Sequence, residues 1–197
     1  MQIPVFTTVS AKGAIDEQLD HAAGIYTGVG GEYAPENLIL EKADLVIGIG
    51  LQNKEVLSVN QLNCKSINID KVVGDKSFDF DMQYQYEEIA SLFHSLTNKS
   101  WGTEFVEESK KMLLKHFESM PFLPPIIFRI ISKSLNPDTR LVVDTGDFCT
   151  VAEHIWNTCG TESYLGSGNG RSMGAALPMA IAAGLFDQTR RTIVAIG

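Results

Sequence analysis

An α/β fold of two parallel-sheet units is predicted for this 197-residue chain, on three observations. Short runs rich in β-branched residues alternate with stretches of helical spacing, and that alternation puts helices on the faces of a parallel sheet. Two of the runs, ADLVIGIG at 43–50 and RLVVD at 140–144, are almost continuously apolar, as strands covered on both faces must be. The alternation lapses after about residue 70 and resumes near 140. The chain therefore divides into a first unit at 1–99, a helical segment at 100–136 and a second unit at 137–197.

In order, IPVFTT (3–8) reads as a strand, closed by the polar turn Ser10-Ala11-Lys12-Gly13. A glycine-rich loop, Gly24 to Gly31, precedes a helix from Pro35 to Ala43, where proline suits the first turn. ADLVIGIG follows as a fully buried strand, and KSINID (65–70) as its neighbour. Residues 71–81 read as a loop. Three helices come next, at about 83–97, at 103–119 with Phe105, Met112, Leu113 and Phe117 at helical spacing, and from Pro124-Pro125 through Ile126, Ile127, Ile130 and Ile131. The second unit runs as strand RLVVD, helix 148–158, strand SYLG, the loop Ser167 to Ser172, an apolar helix 173–186 and a buried strand RTIVAIG. A chain that stops on such a strand is expected to be a piece of something longer.

Composition narrows the function. Hydrophobic residues make up 44% and charged residues 20%, ordinary for a water-soluble globular domain. No apolar run reaches the roughly 18 residues that cross a bilayer. The net charge of −8 with scattered basic residues argues against a nucleic-acid partner. Lys110, Lys111 and Lys115 interleave with Glu107, Glu108 and Glu118 as a solvated helix face would. Cys64, Cys149 and Cys159 are odd in number and lack metal-ligand spacing, so reduced thiols in the cytoplasm are expected, with Cys149 a small buried residue. His21, His94, His116 and His154 have no partner at ligand spacing, and no Gly-x-Ser-x-Gly elbow is present.

Three stretches are able to carry chemistry. GSGNGRSMGAALP (166–178) sets glycines before a helix of small residues, which lets a backbone approach a flat ligand and lets the helix pack closely. It is neither a P-loop nor a true G-x-G-x-x-G, because Arg171 stands where the last glycine belongs. VVDTGDF (142–148) takes a buried strand into a glycine turn before a helix, the place where ligands sit in doubly wound sheets. The third is the strand end IGIG with the Gly24–Gly31 loop, able to hold a nucleotide or simply to turn the chain.

These pieces, in this order, resemble the thiamine-diphosphate enzymes of the acetolactate synthase and pyruvate/indolepyruvate decarboxylase group. IPVFTTVSAKGAID, the glycine loop, ADLVIGIG and KSINID are similar to that family's central, Rossmann-like domain; VVDTGDF, SMGAALPMAIAAG and TIVAIG are similar to the opening of its diphosphate-binding domain. The resemblance implies that Met173 props thiamine diphosphate into a bent shape, that the backbone of Met173 bonds the pyrimidine, and that the Arg171 carbonyl accepts from its amino group. Ser172 lies between them, and Thr145, Gly146, Asp147 and Phe148 match a stretch that contacts the diphosphate. Two residues depart from the pattern: glycine is usual at 171, and a neutral residue is usual at 147, where a carboxylate repels phosphate.

The resemblance also implies what this chain leaves to the rest of a parent protein. The Gly-Asp-Gly and Asn-containing motifs that hold Mg2+, and the catalytic glutamate of a separate N-terminal domain, are not among its residues, so it carries no metal ligand and no catalytic residue and is expected to be inactive alone. The parent implied is a cytoplasmic homodimer or homotetramer that decarboxylates a small 2-oxo acid. A flavin- or adenine-nucleotide-binding module, or a purely structural α/β protein, is the alternative.

Overall fold

The structure is a computed structural model that describes residues 2–28, 34–51, 62–71, 80–85, 99–121, 123–168 and 170–197. Every strand pairing among these residues is parallel. The protein is α/β, as its sequence predicts.

The first unit opens with β1 (Val5–Thr7) alongside β2 (Ala22–Ile25), with a register shift between Val5 and Phe6. Helix α1 (Pro35–Leu40) starts on its proline, and β3 (Leu45–Ile49), β4 (Lys65–Asp70) and β5 (Met82–Gln85) form a second sheet in that order. Two long helices follow, α2 (Thr103–Ser119) and α3 (Leu123–Ser134). The second unit is β6 (Arg140–Val143), α4 (Asp147–Ile155), β7 (Tyr164–Gly166), α5 (Ala176–Phe186) and β8 (Thr192–Ala195), with β6 between β7 and β8.

One core crosses the boundaries drawn from sequence. Val9 and Ile25 of the first unit pack with Leu113 and Phe117 of α2, Phe128 of α3, Leu141 and Val143 of β6 and Trp156 beyond α4. A smaller cluster joins Ala23, Ile39 and Val106 beneath Phe6 and Phe105. Apolar side chains on α2 and α3 thus bridge two sheets that are each too short to bury both faces alone.

The structure corrects several expectations. Gly24 and Ile25 belong to β2, not to the glycine loop; residues 29–33 of that loop lie outside the described residues. The strand ADLVIGIG is not fully buried. Leu45, Ile47 and Ile49 of β3, which pairs with β4 among the described residues, share one exposed face, because side chains alternate along a strand. The start of the helix expected at 83 is instead strand β5, and the rest of that helix lies outside the described residues. On α2 the buried face runs through Val106, Ser109, Leu113 and Phe117, while Met112 faces solvent. Ile126, Ile127 and Ile130 of α3 are likewise exposed around a buried Phe128. Strand β8 is half-buried, not buried.

Candidate cofactor-facing corner

The site is built at the carboxyl end of β6. Asp144, the first residue past the strand, donates its N–H to the Ala195 carbonyl at 2.9 Å and so stays tied to β8. Its buried carboxylate accepts the Thr145 N–H at 2.9 Å and the Gly174 N–H at 2.9 and 3.0 Å, thirty residues away along the chain. Thr145 Oγ1 donates to the Ser172 carbonyl at 3.4 Å, and the Ser172 N–H donates to Ser167 Oγ at 3.0 Å. One carboxylate and one hydroxyl therefore bring two of the stretches singled out in the sequence together.

Gly146 precedes α4, and the Phe148 ring folds back against it: a Cβ at Gly146 would stand 2.7 Å from Phe148 Cε1. The same ring meets Gly197, where an added Cβ would also come within 2.7 Å. No larger residue fits either place while Phe148 holds that rotamer. Asp147 opens α4 and is exposed, its carboxylate set in the first turn where the helix dipole favours negative charge. Among the described residues it has no ion-pair partner.

On the facing turn, Met173 is 80% exposed, and Ser172 and Gly174 also reach solvent. Gly170 and Gly174 take positive φ, and nothing lies within 4 Å of a Cβ placed on either. Among the described residues neither the Met173 amide nor the Arg171 carbonyl is engaged in a hydrogen bond. The turn presents a thioether, free backbone groups and open space.

Arg171 has φ +44°, the left-handed region in which a non-glycine residue costs about 1–2 kcal/mol. Its guanidinium forms a two-pronged pair with Glu153 on α4, at 3.0 and 3.2 Å, and reaches Cys149 Sγ at 3.1 Å. Burial pushes the Glu153 carboxyl above its usual range, and Arg171 and Lys12 pull it part of the way back. Beneath this pair lies a second, contributed by the first unit. Lys12 Nζ donates to both Glu17 oxygens at 2.7 Å, and Glu17 accepts the Thr158 N–H at 2.8 Å. Burial lowers the Lys12 pKa against the pull of Glu17.

The nucleotide alternative meets an obstacle in the other glycine loop. The Glu36 carboxylate already accepts the Thr27 N–H at 3.1 Å and the Gly28 N–H at 2.9 Å, so the protein's own anion occupies donors that a phosphate would need. Sequence reasoning included Asp144 in the VVDTGDF stretch without seeing it as the junction, and it missed Glu153, Lys12 and Glu17. The legible signal was Arg171 itself: an arginine inside a glycine turn calls for a nearby anion.

Residues 1–87 match the family described as thiamine pyrophosphate enzyme, central domain. The whole chain aligns, at 26% identity over 227 positions, with a probable acetolactate synthase large subunit from Methanococcus aeolicus. Over its first 87 residues this chain is similar to the thiamine pyrophosphate enzymes. It spans 38% of the length of that curated relative. The matched family is named for thiamine pyrophosphate, that is, thiamine diphosphate. No helix among the described residues is long and apolar enough to cross a membrane. Nor do three His, Cys, Asp or Glu side chains cluster there as ligands for a metal ion.

Proposed function

We propose that Thr145–Phe148 and Arg171–Met173 are this chain's share of a thiamine diphosphate seat, in an enzyme that decarboxylates a small 2-oxo acid. The observation that carries the reading is the junction of the two stretches through Asp144 and Thr145, with Met173 standing free at its rim. The free groups suit the coenzyme: a polarizable thioether adapts to two ring systems, and unpaired backbone groups await a pyrimidine edge. The N-terminus of α4 favours the diphosphate through its helix dipole, while Asp147 opposes it. When bound, the coenzyme supplies the electron sink for decarboxylation, and the protein supplies orientation and electrostatics.

The described residues do not fit a magnesium site, since the Asp144 carboxylate is committed to two backbone amides and no oxygen cluster surrounds it. The ion and the catalytic glutamate then belong to other parts of a parent protein, and this chain alone is inactive. Helix α5 supports such a setting: Leu177, Ile181 and Leu185 form an exposed apolar row, with Phe186 exposed beside it, as a surface covered by another domain or subunit would. Three unpaired cysteines agree with a reducing, cytoplasmic environment.

The test is an amide-resolved NMR titration of the chain with millimolar thiamine diphosphate, with and without Mg2+, alongside a pyruvate assay. Shifts gathered at 145–148 and 171–174 are expected, with no turnover. Shifts confined to the Thr27–Gly28 loop, or none at either stretch, would overturn the reading; so would robust turnover by the chain alone.

A further inference from the structure

We propose that the buried Glu153–Arg171 pair is a latch that fixes the shape of the 171–174 turn, which makes Glu153 a positioning residue for a surface it never reaches. The consequence for the coenzyme rests on the reading above; the latch itself does not.

A turn of this kind is ordinarily given to glycine because φ near +44° is disfavoured for a side chain, yet residue 171 is arginine. Something must hold it there. Thr145 Oγ1 and Asp144 grip the turn further on, at Ser172 and Gly174, and neither constrains residue 171. Besides the Ser172 N–H bond to Ser167 Oγ, which fixes the following peptide, what does is its own guanidinium, planar and bidentate on a carboxylate that is only 3% exposed. Two parallel contacts fix direction as well as distance, so the Cα of Arg171 has little freedom once its fork is seated.

The partner's location gives the latch its effect. Glu153 lies on α4, the helix whose first turn bears Asp147 and Phe148. Six residues of helix separate Asp147 from Glu153, about 9 Å along the axis. A single rigid element thus carries one wall of the site and pins the other, which keeps their separation constant. Among the described residues Lys12 and Arg171 are paired with Glu17 and Glu153 in the buried group, and half-buried Lys110 reaches the Glu17 carbonyl at its edge. Because Lys12 comes from the first unit, the latch is also sensitive to how that unit is seated.

Hydrogen exchange on the whole chain tests this, with E153Q, R171G and the E153Q/R171G double variant. E153Q keeps the shape of the side chain but weakens the fork. Exchange at the hydrogen-bonded amides of Ser172 and Gly174 is expected to quicken tenfold or more, with β6 and α2 amides unchanged. In the double variant glycine adopts the turn unaided, so protection at Gly174 returns to the wild-type level; a role in bulk stability would not be rescued this way. If E153Q does not fold, R171K replaces it, since lysine keeps the charge without the fork and must also speed exchange at Ser172 and Gly174. Unchanged exchange at Ser172 and Gly174, or acceleration spread evenly over the core, overturns the latch. Failure of the coenzyme reading is separate: there, thiamine diphosphate perturbs neither stretch while the exchange pattern persists.

Discussion

Single residues already set limits on what the corner is able to bind. Asp147 places a carboxylate at the helix start where the diphosphate is proposed to lie, so D147N is expected to tighten thiamine diphosphate by about 3- to 10-fold, read by calorimetry. An unchanged or weaker affinity would mean that the phosphates sit elsewhere. His154 offers a pH-dependent prediction. Burial, and then Lys12, hold its pKa down at about 4, while the unfolded chain takes up that proton near 6.5. The stability it contributes is therefore full above about pH 6.5 and is lost as the pH falls toward 4. A drop of that size is worth at most about 3 kcal/mol, and solvent at the ring's accessible edge reduces it to about 1–2 kcal/mol. Urea unfolding at pH 7 and 4.5 should give a smaller difference for H154L than for wild type.

At the level of elements, Arg140 is the tie of the second unit. It is 3% exposed at the start of β6, and it donates to the Glu162 carbonyl at 2.9 Å and the Ala183 carbonyl at 3.0 Å, with Asp187 at 3.5 Å. The cation thus sits at the C-terminal turn of α5, where the helix dipole welcomes it. R140M should lose about 2–4 kcal/mol in denaturant unfolding, since two part-buried carbonyls lose a charged donor and Asp187 loses a cation. A loss under 1 kcal/mol would mean that water replaces it. Element type was legible in the sequence wherever a periodic run was long: α2 has the predicted bounds, and KSINID is β4. It failed at Met82–Gln85, where four residues without a long pattern become a strand only because β4 offers them a ladder.

Across the whole molecule, the two units are clasped rather than strung together. Gly13 has φ +84°, and a Cβ there would stand 2.3 Å from the Gly160 carbonyl oxygen, while beside it the Glu17 N–H donates to the Thr158 carbonyl and the Thr158 N–H donates to the Glu17 carboxylate. G13A should cost about 2–4 kcal/mol, from strain at φ and from the forced separation of the two segments. Thermal unfolding of G13A is expected to broaden into two steps, because the contacts that cross between the units give way first; a single sharp transition at the wild-type temperature would contradict it. The same clasp buries Lys12 and Glu17, whose separation of five residues looks like an ordinary surface pair in the sequence.

What the sequence determined by itself was local and collinear: the alternation of strand and helix, the helix over 103–119, and the ordered motifs that carry the family resemblance. It also marked both halves of the corner, Thr145–Phe148 and Arg171–Met173, because glycine turns and small residues leave a compositional trace. The tertiary structure alone decided that those halves meet through Asp144, that Glu153 answers Arg171, and that β3 turns an apolar face outward. Each of these depends on groups far apart in the chain, and a charge or an apolar side chain does not reveal its partner until folding brings the two together and water is removed from between them.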